Sequence, residues 1–208
     1  NGHLARLLDS AVLTIDSRGD DCAYGDVGLY TGGRANRPNG LQAAAMGAWF
    51  YNDGRYRWLY EWMKKGVEWE DSLQRATNWE IGEWEVYDGF FFKDVAPVEP
   101  TELLGVRASM LDGAAYEQAR EWARNMGEYR GDPMRETEAP LSEAFDKLAF
   151  RRSFERDSEY LLIDGPTGFS HSHEDGNSII RLCWNDRIWL ADLDYIRRLA
   201  RYHNSVVI

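Results

Sequence analysis

Cysteine is nearly absent: the 208 residues hold only Cys22 and Cys183. The two lie far apart in sequence, and neither belongs to a short-spaced pair of the kind that ligates zinc. Sequence distance alone does not decide whether they bond to each other. We expect two buried free thiols, and the redox compartment stays open on this ground. Positive charge is also short. Lys and Arg total 24 against 35 Asp and Glu, for a net charge of -11 and a pI of about 4.9. That balance argues against a surface that coats nucleic acid or polyanions generally, while leaving room for a local basic groove. No stretch is long and apolar enough to span a bilayer. Neither an internal repeat nor a low-complexity tract is present. The expected partners therefore include no nucleic acid and no membrane. The chain opens on Asn1-Gly2-His3 and closes on Ser205-Val206-Val207-Ile208. The closing run reads as mid-strand, and a strand's backbone groups need partners. The expectation is a segment of a longer protein.

What is abundant is apolar and aromatic. Hydrophobic residues make up 44%, enough for one sizeable core or two small ones. The 9 Trp, 11 Tyr and 8 Phe fit an aromatic-rich core or a groove in which sugar rings stack on indole faces. Composition does not separate the two.

The first part of the chain reads as helical. Leu4, Leu7, Leu8, Ala11 and Leu13 fall near helical spacing over 3–14. Residues 16–33 are rich in Gly and Asp and read as loop. A helix over 39–52 has Asn39 as its expected N-cap, and its nearly all-apolar run Ala43 to Phe50 predicts burial on most sides. Asp53-Gly54 breaks it. A third helix over 55–65 carries Tyr56, Leu59, Tyr60 and Met63 on one face, with Gly66 as its expected stop. A further short turn is expected within 67–76. Paired helices of this kind suit a bundle or an α/α toroid.

The pattern changes after residue 78. Residues 80–87 alternate, and Pro97 and Pro100 punctuate a connecting stretch. The expected organisation is 1–78 helical, 79–100 linker and 101–208 antiparallel β-sandwich. Within the last unit, 103–111 reads as a strand, 114–126 as a helix and 127–140 as a charged loop. From 146 the period is two. Strands are expected at 147–151, 160–163, 178–184 and 187–191, with another opening at His203, and Asn185-Asp186 as a two-residue turn. The fold class is α+β.

Three of the four histidines, His171, His173 and His203, lie close to the C-terminal end. Residues two apart on an extended chain share a face, so His171 and His173 can address one small site. Asp192 and His203 follow on neighbouring strands. Two His and one Asp supply the N and O donors that suit zinc. A His-x-His pair alone is more often a solvated strand surface. The clustering of an otherwise scarce residue, together with Glu174, Asp175 and Asn177 where a structural strand would want apolar groups, points to a functional site.

In order along the chain stand Phe145 to Arg151, Tyr160 to Gly165, a His-x-His-x-Asp box at His171-Ser172-His173-Glu174-Asp175, an Asp-x-x-Tyr box at Asp192 to Tyr195, and a His-Asn box at His203-Asn204. This series resembles the heparinase II/III family of polysaccharide lyases. The resemblance covers 145–208 well, and the rest loosely through Tyr24 to Gly28 and the helices. It implies the end of an α/α toroid joined to the start of a β-sandwich, with substrate between them. It further implies β-elimination on uronic-acid polysaccharides, glycosaminoglycan-like or alginate-like. By motif, His173, Asp192 and His203 match the ligands of a structural zinc, and His171 matches a histidine of the catalytic cleft. Asp194 stands where many members have a small residue and could compete with Asp192. The family's catalytic Tyr comes from the toroid and is expected before residue 1, not at Tyr24 or Tyr30. Glu174, Asn177 and Arg187 are the substrate-binding candidates, the partner is an acidic polysaccharide, and the place is periplasmic or secreted. Other readings are a carbohydrate-binding or structural protein of the same fold without catalysis, and a zinc hydrolase with Glu174 as base.

Overall fold

The computed structural model describes residues 2–20, 22, 37–68, 94–108, 121, 145–165, 178–192 and 203–204. Three helices come first: α1 (Gly2–Thr14), α2 (Arg37–Tyr51) and α3 (Gly54–Glu68). Five strands follow: β1 (Leu104–Ala108), β2 (Phe145–Arg151), β3 (Tyr160–Asp164), β4 (Ile179–Trp184) and β5 (Arg187–Ala191). They form one antiparallel open sheet in chain order. The architecture is mixed α+β, as the periodicities predict. The described residues contain three helices and one sheet, and show neither a toroid nor a second sheet. The readings for 80–87, 127–140 and 205–208 lie outside the described residues, as does that for 114–126 apart from Glu121, which is helical. His203 and Asn204 form a turn.

The helices pair through small residues. Leu41, Ala44, Ala45 and Ala48 of α2 are buried with Leu8 of α1 and with Tyr56, Leu59, Tyr60 and Met63 of α3. The α3 face is the one expected. Helix α2 is less enclosed than its apolar run suggests: Trp49 and Phe50 are each 56% exposed. Its alanine stripe lets α3 come close on one side, and the bulky residues are left on the other. Two boundaries also differ from expectation. Helix α2 starts at Arg37, which puts Asn39 inside its first turn, with Pro38 where a missing N–H costs nothing. Helix α3 runs through Gly66 to Glu68. Between α2 and α3, Asn52 takes a positive φ of 51°. The Asp53 Oδ1 then accepts from the Arg55 N–H at 2.9 Å, a side-chain cap on α3.

The alternation of β2 is inverted relative to a simple core strand. Lys147, Ala149 and Arg151 point inward and are buried, while Phe150 points outward and is 42% exposed. The reason is what the inner face meets. The last turn of α1 presents carbonyls without intrahelical donors. Arg151 Nη2 donates to the carbonyl oxygens of Ile15 at 2.8 Å and Leu13 at 3.2 Å, and Tyr160 Oη donates to Leu13 at 2.9 Å. The same guanidinium lies 4.2 Å from the Phe154 ring centroid and 4.7 Å from that of Tyr160. A cation at a helix C-terminus also complements the dipole.

Asp16, fully buried, continues this junction. Its Oδ1 accepts the N–H groups of Arg18 at 2.8 Å and Asp20 at 3.0 Å, closing an Asx-type turn over residues 16–19. Its Oδ2 faces Arg181 Nη1 at 3.6 Å and accepts from Cys183 Sγ at 3.5 Å. Burial, then the Asp16 charge, pushes the Cys183 thiol far above its ordinary range. Cys22 and Cys183 are both buried thiols with no disulfide between them, as expected. They pack with Ala149, Tyr160, Leu162 and Ile180 in a second core under the sheet.

The β4–β5 turn is the expected two-residue one, with Asn185 and Asp186 at φ 54° and 58°. Arg18 and Arg156 both bond Asp186 and pin that turn. The outer face of the sheet is apolar: Leu104, Phe150, Trp184 and Leu190 are all exposed.

Candidate functional site

Among the described residues, the sheet end opposite the Asn185-Asp186 turn gathers most of the buried polar groups that do not serve the α1 junction. Strand β3 ends at Asp164, β4 begins just after Ser178, and β5 ends just before Asp192. Residues 203–204 return to the same end. Ile179 N–H donates to the Asn204 carbonyl at 3.2 Å, and the Asn204 side-chain amide donates to the Ile179 carbonyl at 3.2 Å. Asn204 thus docks its neighbour His203 against the start of β4, which gives the His-Asn box a physical role. The Asp192 N–H donates to the Ile180 carbonyl at 2.9 Å and continues the ladder.

These anchors bring two of the expected ligands together. His203 Nδ1 and Asp192 Oδ1 are 2.8 Å apart, with side-chain exposures of 2% and 6%. That is a hydrogen bond when Nδ1 carries its proton. As a metal centre the pair matches in donor type and not in spacing: two donors on a tetrahedral zinc stand about 3.3 Å apart, wider than the 2.8 Å found here. Ser178 Oγ donates to the other carboxylate oxygen, Asp192 Oδ2, at 3.4 Å.

A buried ion pair lies on the adjoining strands. Lys147 Nζ donates to Asp164 Oδ1 at 2.5 Å and to Asp146 Oδ1 at 2.7 Å. Burial works against the lysine charge, but the two carboxylates outweigh it and hold its pKa above the ordinary value. Its stabilisation is complete below the ordinary lysine pKa and is lost only as pH climbs through the raised one. Lys147 therefore stays charged at neutral pH. The Asp164 N–H donates to the Ser178 carbonyl at 2.9 Å, and the Gly165 N–H to the Asp146 carbonyl at 2.6 Å. A Cβ on Gly165 would sit 2.0 Å from the Phe145 carbonyl oxygen, a backbone atom with little freedom to yield. Gly165→Ala is expected to destabilise by at least the roughly 1–3 kcal/mol typical of overpacking, measured by urea unfolding.

Of the residues singled out by sequence, Asp192 and His203 are thus placed together. His171, His173, Glu174, Asn177 and Asp194 lie outside the described residues. Arg187 is exposed and opens β5, five residues and about 17 Å of extended strand from Asp192. Among the described residues, no group of three or more His, Cys, Asp or Glu is placed to hold a metal. Sequence reading gave Lys147, Asp164 and Ser178 no role, although Lys147 and Asp164 lie in stretches that carry the resemblance. The available signal was a lysine and an arginine on the alternation that also carries Ala149, with an aspartate closing the next strand.

Comparison with known proteins found no matching family model, no matching curated protein and no matching solved structure.

Proposed function

We propose that this chain is part of a heparinase II/III-like polysaccharide lyase, acting by β-elimination on uronic-acid-containing polysaccharide. The buried Asp192–His203 pair carries the reading. Two residues chosen from separate sequence boxes meet at 2.8 Å, at the sheet end that holds Gly165 and Ser178, the described residues on either side of the His-x-His pair in sequence. His173, Asp192 and His203 would hold the zinc. When bound, zinc would supply a closed structural centre joining strand ends. The paired helices α2 and α3 suit the end of a toroid. The apolar outer face of the sheet suits a sandwich, in which a second sheet would cover it.

The reaction removes the proton at C5 of the uronic acid, forms the C4–C5 double bond and expels the C4 oxygen with its sugar. Charge builds on the neighbouring carboxylate, so positioned donors must stabilise it. His171 would donate to that carboxylate or to the leaving oxygen. Glu174, Asn177 and Arg187 would contact the polymer. An enzyme meeting long polysaccharides works in the periplasm or outside the cell. His171→Ala is expected to cut turnover by about 10²–10⁴-fold. The assay is new ultraviolet absorbance from unsaturated sugar ends, using full-length protein and a panel of uronic-acid polysaccharides. Wild type inactive on every member would overturn the lyase reading.

A second reading, carbohydrate binding without catalysis, draws on the β4–β5 hairpin. Trp184 and Trp189 are each 53% exposed, with ring centroids 6.4 Å apart. Trp189 Nε1 donates to the Trp184 carbonyl at 3.0 Å, which fixes the indole for stacking. Binding of the same panel with no unsaturated product would favour it.

A further inference from the structure

We infer that Trp184, Arg187 and Trp189 on the β4–β5 hairpin form a subsite for an acidic sugar ring. The inference rests on the carbohydrate-binding reading given above, and it names the sugar's charge and the residues that read it. Among the described strands β5 is an edge of the sheet, so the hairpin can be approached from the side as well as from the outer face. Trp184 and Arg187 are paired directly across the two strands, which sets their side chains on one face. The Trp184 and Trp189 ring centroids are 6.4 Å apart, so the second indole stands beside the first. Arg187 is exposed, and among the described residues no carboxylate pairs with it. The neighbouring carboxylate, that of Asp186, is already engaged by Arg18 and Arg156.

Ring geometry decides how a ligand sits here. A flat ring held between two others needs parallel faces about 7 Å apart, twice the usual carbon–carbon contact. The two indole planes are tilted by 34° at 6.4 Å, so a ligand lies against them and not between them. That disfavours a nucleobase slot and suits a pyranose, whose apolar C–H face rests on the negative face of an indole while its hydroxyls stay in water. The guanidinium at the rim adds a two-pronged donor for a carboxylate or sulfate. In a chain of net charge -11, an unpaired cation beside two exposed indoles is charge complementarity aimed at an acidic ligand. The platform is also rigid before binding. Asn185 and Asp186 close a tight turn at positive φ, Arg18 and Arg156 hold Asp186, and Trp189 Nε1 donates to the Trp184 carbonyl. Less side-chain freedom is then lost when the ligand binds.

The test is calorimetric binding to the full-length protein of galacturonate, hyaluronan and alginate oligosaccharides, with neutral cello-oligosaccharides of equal length as reference. Wild type is expected to bind at least one acidic oligosaccharide about 10-fold more tightly than the neutral one. Arg187→Gln should remove that preference and leave the neutral affinity unchanged. Trp184→Ala and Trp189→Ala should each weaken both kinds of ligand by about 10-fold. Trp49→Ala, which removes an equally exposed indole from α2, should bind as wild type. If Trp189→Ala does not fold, Trp184→Ala and Arg187→Gln carry the test from exposed positions. Equal affinity for acidic and neutral ligands, or a preference that survives in Arg187→Gln, would overturn the acidic subsite and leave carbohydrate binding standing. Tryptophan variants that bind as wild type would place the sugar elsewhere and overturn the platform. A wild type that binds no oligosaccharide would overturn the subsite and the carbohydrate-binding reading together. Self-association of that wild type, lost in Trp189→Ala, would give the hairpin to a second copy of the chain instead.

Discussion

Asp16→Ala is expected to cost about 3–5 kcal/mol of folding stability, the loss typical when one partner of a buried ion pair is removed. Arg181 is 1% exposed, and its Nη1 faces Asp16 Oδ2 at 3.6 Å. Without Asp16 the guanidinium keeps its charge and loses its carboxylate. The N–H groups of Arg18 and Asp20 lose their acceptor in the same step, and Cys183 Sγ loses its own. An isolated surface pair would give about 0–1 kcal/mol, so the two cases separate cleanly. The measurement is urea unfolding, and a loss below about 1 kcal/mol would contradict a junction built on Asp16. Natural domains have only about 5–15 kcal/mol in total, so this single change threatens the folded state.

His203→Ala is the second large effect. It removes one proposed zinc ligand and leaves the Asp192 carboxylate, 8% exposed, without the imidazole 2.8 Å away. Loss of a direct ligand should exceed the roughly 10–100-fold penalty of losing a supporting group. The expected result is that zinc at equimolar concentration no longer binds His203→Ala, while Arg187→Ala, altered about 17 Å away along the strand, binds as wild type. Equal affinity in His203→Ala and wild type would remove His203 from the ligand set.

Legibility followed the residues whose pattern has one local meaning. Tyr56, Leu59, Tyr60 and Met63 share a helical face, and that face is buried. Asn185-Asp186 can hold positive φ at both positions, and it makes the turn. Asp192 and His203 were singled out because histidine is scarce in this chain, and the two do lie side by side. The inward face of β2 was not legible. Period two is blind to which face is inner, and the deciding facts are the α1 carbonyls and Asp164, both remote in sequence. Helix α2 misled for a related reason. An all-apolar run records no preferred side, and only contact with α3 decides that the alanines go in and Trp49 and Phe50 stay out. The Asp16–Arg181 contact joins residues at opposite ends of the chain, beyond the reach of any local pattern.

Elemental analysis of the purified full-length protein tests the central claim most directly. About one zinc per chain in wild type, lost in Asp192→Ala, is the predicted result. A wild type without zinc, even after incubation with the ion, would contradict a metal centre at His173, Asp192 and His203.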